Sequence, residues 1–154
     1  MEEDNKLSAT LEDYLESIKM LCDKKGFARV KEISKMLNVE MPSVTSALKR
    51  LKYKGLILYE KYGYIELTSN GNIIARKIYN RHVKIKEFFE KLLNMDSEVA
   101  EENACKIEHS ISEDTFNRVL SFLNFLDEYP EINKSILDSF KLFLEIESKT
   151  ENKE

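Results

Sequence analysis

The segment VKEISKMLNVEMPSVTSALKRLKYKG, residues 30–55, decides the fold. Residues 30–37 predict a short helix, because Ile33, Met36 and Leu37 recur at the spacing of one helix face. Residues 38–40 form a polar break. Pro42 then suits the first turn of a second helix, and Gly55 is a typical stop signal. The segment therefore predicts two helices joined by a tight turn.

The second of these helices has two contrasting faces. Its apolar residues are expected to point inward: Val44, Ala47, Leu48 and Leu51. The opposite face begins small and hydroxylic and becomes cationic: Ser43, Thr45, Ser46, Lys49, Arg50 and Lys52. Short side chains allow a helix to approach the major groove of double-stranded DNA, and long cations reach the flanking phosphates. We therefore predict that this face, with Pro42 at its start, contacts DNA.

The flanking sequence completes a recognisable order of elements. Leu11, Leu15, Ile18 and Leu21 predict a helix that precedes residue 30 and stops at Gly26. Residues 56–67 are β-branched and aromatic and predict a short hairpin, with Lys61 and Tyr62 near its tip as further DNA contacts. This is the order of a winged helix-turn-helix. The alternative is a helical bundle whose third helix is merely polar outside.

The second half of the chain predicts further helices. Thr68 is expected to cap a long helix over residues 69–93, and two more are predicted over 97–110 and 113–128, with a last one after Pro130. The fold class is thus mostly α with a small β-hairpin wing. We expect a DNA-binding domain over residues 1–70, a linker helix and helical domain over 71–147, and a frayed tail over 148–154.

Composition and charge narrow the functional classes. The chain has 154 residues, 42% of them hydrophobic and 34% charged, and it carries neither a run of about 18 apolar residues nor a secretory signal. With only two cysteines, it is expected to be cytoplasmic, with no membrane partner. The net charge of −4 hides a block over residues 24–91 with 16 Lys/Arg and 6 Asp/Glu. Such a block favours a polyanionic partner, although solvated helix faces would produce the same count.

A second group of residues has the chemistry of metal ligands. Cys105, Glu108 and His109 share one face if the helix continues through them, so that a thiolate, a carboxylate and an imidazole converge. His82 lies in the long helix, and Asp13 and Glu16 stand one turn apart on the first helix. The alternative is that these are ordinary surface pairs and that Cys105 is a small apolar filler.

Several stretches, in order, resemble one protein family. They are LEDYLESI (11–18), SVT (43–45), YEKY (59–62), LTSNG (67–71), RH (81–82) and ACKIEHSIS (104–112). Together they resemble the diphtheria toxin repressor family of metal-dependent transcriptional repressors, which includes the iron-dependent repressors and the manganese transport regulators. The resemblance covers residues 7–128, and its sharpest feature is Glu108-His109 followed by Ile111-Ser112.

The resemblance implies a mechanism and a ligand set. It implies a homodimer that binds a partly palindromic operator when Fe(II) or Mn(II) is bound, and that represses metal-uptake genes. Co(II), Ni(II) or Zn(II) are expected to substitute in vitro. The family's ligand positions fall on Asp13, Glu16, His82, Cys105, Glu108 and His109. A metal held by residues of both domains would select the arrangement in which the two reading helices suit successive major grooves.

The chain also departs from the family's pattern. Asp13 is the manganese-type residue and favours a hard ion, whereas Cys105 is the iron-type residue and favours a softer one. Iron-type members carry Glu at the position of Lys86, where it helps form a second metal site. Glu101, one turn before Cys105, is a candidate additional ligand. The chain is short for the SH3-like domain of larger members.

Two other functions stay open from the residues alone. One is a winged-helix regulator that binds DNA without metal, its acidic cluster being structural. The other is a dinuclear metal hydrolase, since two metals about 4 Å apart can activate water. The hydrolase is the weaker alternative, because the sequence offers no Gly-rich loop or nucleophile motif. We therefore expect neither an enzyme nor a small-molecule substrate.

Overall fold

The computed structural model describes residues 7–60 and 63–151, which form helices and one β-hairpin. The elements in chain order are α1 (Ala9–Lys25), α2 (Val30–Leu37), α3 (Met41–Tyr53), β1 (Ile57–Tyr59), β2 (Ile65–Leu67), α4 (Ser69–Leu93), α5 (Ser97–Ile107), α6 (Glu113–Glu128) and α7 (Pro130–Glu151). The predicted fold class, mostly α with a winged helix-turn-helix at the N-terminus, is confirmed.

The chain divides into two compact units. The first ends at Asn80 and the second begins at Arg81, so that the division falls inside α4. The domain limits that we drew at residues 70 and 147 stay a prediction. The helix α7 continues to Glu151 and so includes the first four residues of the predicted tail.

The first unit is built on an aliphatic core. Leu15 and Ile18 of α1, Ile33 of α2 and Leu48 of α3 are completely buried. The predicted inward face of α3 is confirmed, because all four of its apolar residues are buried: Val44, Ala47, Leu48 and Leu51. Burying an aliphatic side chain of this size contributes about 1.5–3 kcal/mol. The same packing turns the polar face of α3 to solvent.

The hairpin follows α3 as predicted. The strands β1 and β2 are antiparallel, with Ile57 opposite Leu67 and Tyr59 opposite Ile65. Ile65 also exchanges two backbone hydrogen bonds with Ala28, which ties the hairpin to the segment between α1 and α2. Lys61 and Tyr62, the predicted contacts at the tip, lie outside the described residues.

The start of α4 is fixed by two residues. The hydroxyl of Thr68 accepts a hydrogen bond of 2.9 Å from the Gly71 amide, as the predicted cap requires. A Cβ at residue 71 would lie 1.8 Å from the carbonyl oxygen of Leu56, a distance that no side chain tolerates. Gly71 is therefore required by the close approach of the two backbones.

The second unit carries α5, α6 and α7. Its buried apolar residues include Ile85 of α4, Ala104 of α5 and Leu123 of α6. The helix α5 ends at Ile107, so the prediction that it reaches Ser110 was wrong. A tighter turn replaces the last helical turn there, with the Ser110 amide bonded to the Ile107 carbonyl at 2.8 Å. Across residues 7–60 and 63–151, no helix combines the length and apolar character that crossing a membrane requires.

Candidate metal centre and nucleic-acid interface

The imidazole of His82 lies between two carboxylates of the second unit. His82 belongs to α4 and is 5% exposed. Its Nδ1 lies 2.8 Å from Oε2 of Glu108, and its Nε2 lies 3.0 Å from Oε1 of Glu101. Both are hydrogen-bond distances. The ring is therefore held in one orientation, with Nδ1 facing Glu108.

Glu108 is a carboxylate in a nearly water-free environment. It follows the last residue of α5 in a helical conformation and is only 1% exposed. Its Oε1 lies 3.2 Å from Nε2 of His109 but makes no hydrogen bond within the described part of the chain. A buried carboxylate costs several kcal/mol unless a positive charge compensates it. The position of Glu108 thus favours a bound cation.

Three different donor atoms converge around this carboxylate. Donor atoms of His82, Cys105 and Glu108 all lie within 4.8 Å of one another. Ligands at about 2.0–2.3 Å from one ion lie at most about 4.6 Å apart, so a small adjustment brings these atoms into a coordination sphere. Cys105 is exposed whereas the other two are buried, and the cluster is therefore accessible from one side. Its donor set fits a divalent transition metal.

Glu101 and Lys86 form an ion pair beside the cluster. Nζ of Lys86 lies 2.9 Å from Oε2 of Glu101. Burial alone would raise the pKa of the Glu101 carboxyl, but the hydrogen bonds from Lys86 and His82 and the positive charge of Lys86 outweigh it and hold that pKa below its usual value. Glu101 is therefore ionised at neutral pH.

Arg81 holds the segment that follows the ligands. Its Nη2 donates a hydrogen bond of 2.6 Å to the carbonyl of Ile111, and its Nη1 lies 3.0 Å from Oε2 of Glu113. The guanidinium also lies 5.0 Å from the centre of the Phe116 ring. The segment that follows His109 is therefore fastened to α4. This role of Arg81 was not predicted, because nothing local to Arg81 in the sequence indicates a contact about thirty residues away.

The six predicted ligand positions fall in both units. The second unit contains His82, Cys105, Glu108 and His109, and it brings the first three together. The first unit contains Asp13 and Glu16, three residues apart on α1. Asp13 is half-buried, and Glu16 is 7% exposed.

The predicted DNA-contacting face of α3 lies at the surface. Nearly all of its residues are exposed: Pro42, Ser43, Ser46, Lys49, Arg50 and Lys52. Thr45 is half-buried, and its hydroxyl donates a hydrogen bond of 3.0 Å to the Met41 carbonyl. Lys52 donates one of 2.7 Å to the carbonyl of Tyr59 and so tethers α3 to β1. Lys49 and Arg50 are the cations of α3 that are best placed to meet phosphates.

A second cationic surface lies beside the hairpin. The guanidinium of Arg29 lies 5.1 Å from the centre of the Tyr64 ring, and its Nη2 lies 3.2 Å from the Tyr64 hydroxyl. The ring of Tyr64 contacts that of Phe27, with centroids 4.1 Å apart. Stacked arginines of this kind are common in nucleic-acid recognition. Arg29 was not predicted, although the basic block that contains it was a usable signal.

Comparisons with known proteins agree with these features. Residues 6–65 match the family described as "Iron dependent repressor, N-terminal DNA binding domain". Residues 68–137 match the family described as "Iron dependent repressor, metal binding and dimerisation domain". The first match contains the helix-turn-helix and most of the hairpin, and the second contains the carboxylate–imidazole cluster.

Two curated relatives match this chain over most of their own length. An uncharacterised HTH-type transcriptional regulator of Methanocaldococcus jannaschii is 36% identical over 118 residues, which are 76% of this chain and 94% of that protein. The HTH-type transcriptional regulator MntR of Bacillus subtilis is 33% identical over 119 residues, which are 77% of this chain and 83% of that protein.

Solved structures show the same fold. The crystal structure of IdeR from T. acidophilum matches with a TM-score of 0.69 at 28% identity, over 77% of this chain and 56% of that chain. The manganese regulator SloR matches with a TM-score of 0.65 at 31% identity, over 75% of this chain and 54% of that chain. The matched region thus spans about half the length of these solved chains. By its two matched domains and its relatives, the protein belongs to the iron-dependent repressor family.

Proposed function

We propose that this protein is a transcriptional repressor that binds operator DNA when Fe(II) or Mn(II) is bound. One observation carries the proposal. The buried carboxylate of Glu108 lies beside the imidazole of His82 and the thiol of Cys105, in a chain whose α3 exposes a cationic face. A divalent cation supplies the positive charge that this carboxylate requires.

The proposed ligands combine the cluster with the positions implied by the family resemblance. We assign His82, Cys105, Glu108 and His109 from the second unit and Asp13 and Glu16 from α1. The thiolate of Cys105 favours Fe(II), and a carboxylate such as Asp13 favours Mn(II). Co(II), Ni(II) and Zn(II) are expected to bind in vitro through the same atoms.

The proposed contact with DNA is made by α3. Ser43 and Ser46 are short enough to let the helix approach the major groove, and Lys49 and Arg50 reach phosphates. Replacing Lys49 by Ala should weaken operator binding at every sequence tested. It should also reduce the slope of log K against log salt by about 0.9, the loss of one phosphate contact. Lys134→Ala, an exposed lysine of α7, is the control that should leave the slope unchanged.

The proposed assembly is a homodimer on a palindromic operator. The helix α7 exposes a series of large apolar side chains: Ile132, Ile136, Leu142, Phe143 and Ile146. A second copy of the chain would cover such residues, consistent with the dimerisation domain in the family's description. The two reading helices would then meet half-sites about 34 Å apart. Because SloR is named a manganese regulator, we propose that the controlled genes serve metal uptake.

The test is operator binding by fluorescence anisotropy at fixed salt. The probe is labelled DNA from upstream of the protein's own gene, titrated with chelator and then with anaerobic Fe(II), Mn(II), Co(II) or Zn(II). We expect tight binding only with metal, and the ranking of the ions separates the influence of Asp13 from that of Cys105. His82→Ala should abolish the metal response, whereas Glu102→Ala, an exposed residue of α5, should preserve it.

Equal affinity with and without chelator would refute the proposal. The protein would then be a winged-helix regulator that does not respond to metal. The proposal assigns no catalytic step, and hydrolysis of a phosphoester panel by the Mn(II)-loaded protein would contradict that part of it.

A further inference from the structure

A continuous chain of polar contacts runs outward from the buried carboxylate. Oε2 of Glu108 contacts Nδ1 of His82, Nε2 of His82 contacts Oε1 of Glu101, and Oε2 of Glu101 contacts Nζ of Lys86. The distances are 2.8, 3.0 and 2.9 Å. The exposed fraction of the side chain is 1% for Glu108 and 7% for His82, against 49% for Glu101 and 27% for Lys86, so the two outer members of the chain reach solvent.

Glu101 lies on the side of the imidazole that is remote from Glu108. The two nitrogens of the ring point in different directions, and the Nδ1 side is the one that faces Glu108. The donor atoms that converge with His82 in the second unit belong to Cys105 and Glu108. Among the described residues, Glu101 belongs to no group of converging donors. Glu101 therefore lies on the Nε2 side of the ring, outside the cluster of converging donor atoms.

Both oxygens of Glu101 are already engaged. One faces the imidazole and the other the ammonium group of Lys86. A second metal at Glu101 would have to displace the ammonium group of Lys86. This group is part of the chain, so it competes for the carboxylate at every metal concentration. Histidines that bind metals commonly donate their other ring N–H to a carboxylate, which fixes the tautomer and the orientation of the ring.

We propose that Glu101 is a positioning residue that accepts the Nε2–H of His82 and holds Nδ1 toward the metal, and that Lys86 holds Glu101 in place. This inference rests on the proposed function, because it assumes that a metal binds beside His82. It differs from the sequence expectation that Glu101 is an additional ligand. It also gives Lys86 a role, as the cation that occupies the place of a second metal.

The experiment measures metal binding directly, on the full chain without DNA. Co(II) is titrated anaerobically into each variant, with calorimetry reporting affinity and stoichiometry and the visible absorption reporting the coordination sphere. The variants are Glu101→Ala, Glu101→Gln and Lys86→Met. A neighbouring ion pair on α5 provides matched controls. Nζ of Lys106 lies 2.5 Å from Oε1 of Glu102, and both side chains are exposed. The controls are Glu102→Ala and Lys106→Met.

Four results are expected. Glu101→Ala should weaken Co(II) binding roughly 10- to 100-fold without changing the number of ions bound per chain or the shape of the visible spectrum. Glu101→Gln should recover most of the affinity, because its amide oxygen can still accept the Nε2–H. Lys86→Met should cost no more than about fivefold, the size of a partly exposed ion pair. The thermal midpoint of the metal-free Glu101→Ala protein should match that of Glu102→Ala.

Other outcomes would overturn the inference. If Glu101→Ala binds one ion fewer per chain, Glu101 is a ligand. If Glu101→Ala binds Co(II) as tightly as Glu102→Ala does, Glu101 does not act by positioning His82. The same conclusion follows if the thermal midpoint of metal-free Glu101→Ala falls well below that of metal-free Glu102→Ala. Failure of the proposed function looks different, because the unmutated protein would then bind no Co(II), or would bind operator DNA equally well with and without it.

Discussion

Both units of the chain bury aliphatic side chains, but they differ in what else they enclose completely. In the first unit, the large side chains that are completely enclosed among the described residues are aliphatic, such as Leu15, Ile33 and Leu48. The second unit encloses the carboxylate of Glu108 and leaves Ile136 and Phe143 of α7 exposed. The first unit is therefore stabilised by its own packing. The second is stabilised only partly so, and under the proposed function a bound cation and a second copy of the chain contribute the rest.

The largest expected effect on stability tests whether the first unit is stabilised by its own core. Leu48→Ala opens a cavity among residues that are fully buried and should lower the free energy of unfolding by about 2–5 kcal/mol. Chemical denaturation of the metal-free protein, followed by circular dichroism, measures the change. Leu58→Ala on β1 is the control, because Leu58 is 59% exposed and its loss should cost less than about 0.5 kcal/mol. Equal costs at the two positions would contradict an aliphatic core.

The next effect tests the dependence of the second unit on a cation. A metal at one hundred times its dissociation constant should raise the free energy of unfolding by about 2.7 kcal/mol. Glu108→Gln removes the charge but keeps the shape, so its stability should not respond to metal. Glu102→Gln should respond like the unmutated protein, since Glu102 is exposed. If Glu108→Gln kept the full metal gain, the buried carboxylate would not be the feature that binds the ion.

Local signals in the sequence were sufficient for most of the fold. The helices α2 and α4 begin and end at the predicted residues, because Asn38 and Thr68 mark an end and a start through their backbone and side-chain hydrogen bonds. The end of α5 was misplaced by three residues, since neither Gly nor Pro follows Ile107. A helix without a stop signal ends where tertiary packing requires it.

The sequence predicted the chemistry of the site residues but not the contacts between them. Glu108 and His109 were identified by their chemistry and by resemblance, and the structure adds that the Glu108 carboxylate is buried. Glu101 and Lys86 were seen only as variations on a family pattern. The contacts of Glu101 with Lys86 and with His82 join helices α4 and α5, and periodicity shows which residues share a face but not which faces meet.

A smaller effect on stability is expected at the helix starts, where one helix of each unit can be compared. Ser112 Oγ accepts a hydrogen bond of 3.1 Å from the Thr115 amide at the start of α6, whereas the side chain of Ser8 makes no such bond at the start of α1. Ser112→Ala should therefore cost about 1 kcal/mol of stability. Ser8→Ala, measured in the same denaturation series, should cost clearly less. Equal losses would show that the hydrogen bond of Ser112 is not what stabilises the helix end.

The smallest expected effect depends on pH and concerns a thiol of the first unit. Burial raises the pKa of the Cys22 thiol, which packs against the aliphatic core. The unfolded chain releases this proton at the ordinary pKa of a thiol, whereas the folded chain retains it to higher pH. The contribution of Cys22 to stability is therefore complete below the ordinary pKa and is lost as the pH rises through the folded one.

Substitution of Cys22 measures this loss. In metal-free buffer, and in a Cys105→Ser background that removes the exposed thiol, we expect the stability difference between the parent and Cys22→Ala to narrow from pH 7 to pH 10. Titrating lysines and tyrosines affect both proteins equally and cancel in the difference. A difference that stayed constant or widened would mean that Cys22 ionises as readily in the folded chain as in the unfolded one. The contrast between the units would then be weaker, because the first unit would tolerate a charge at the edge of its aliphatic core.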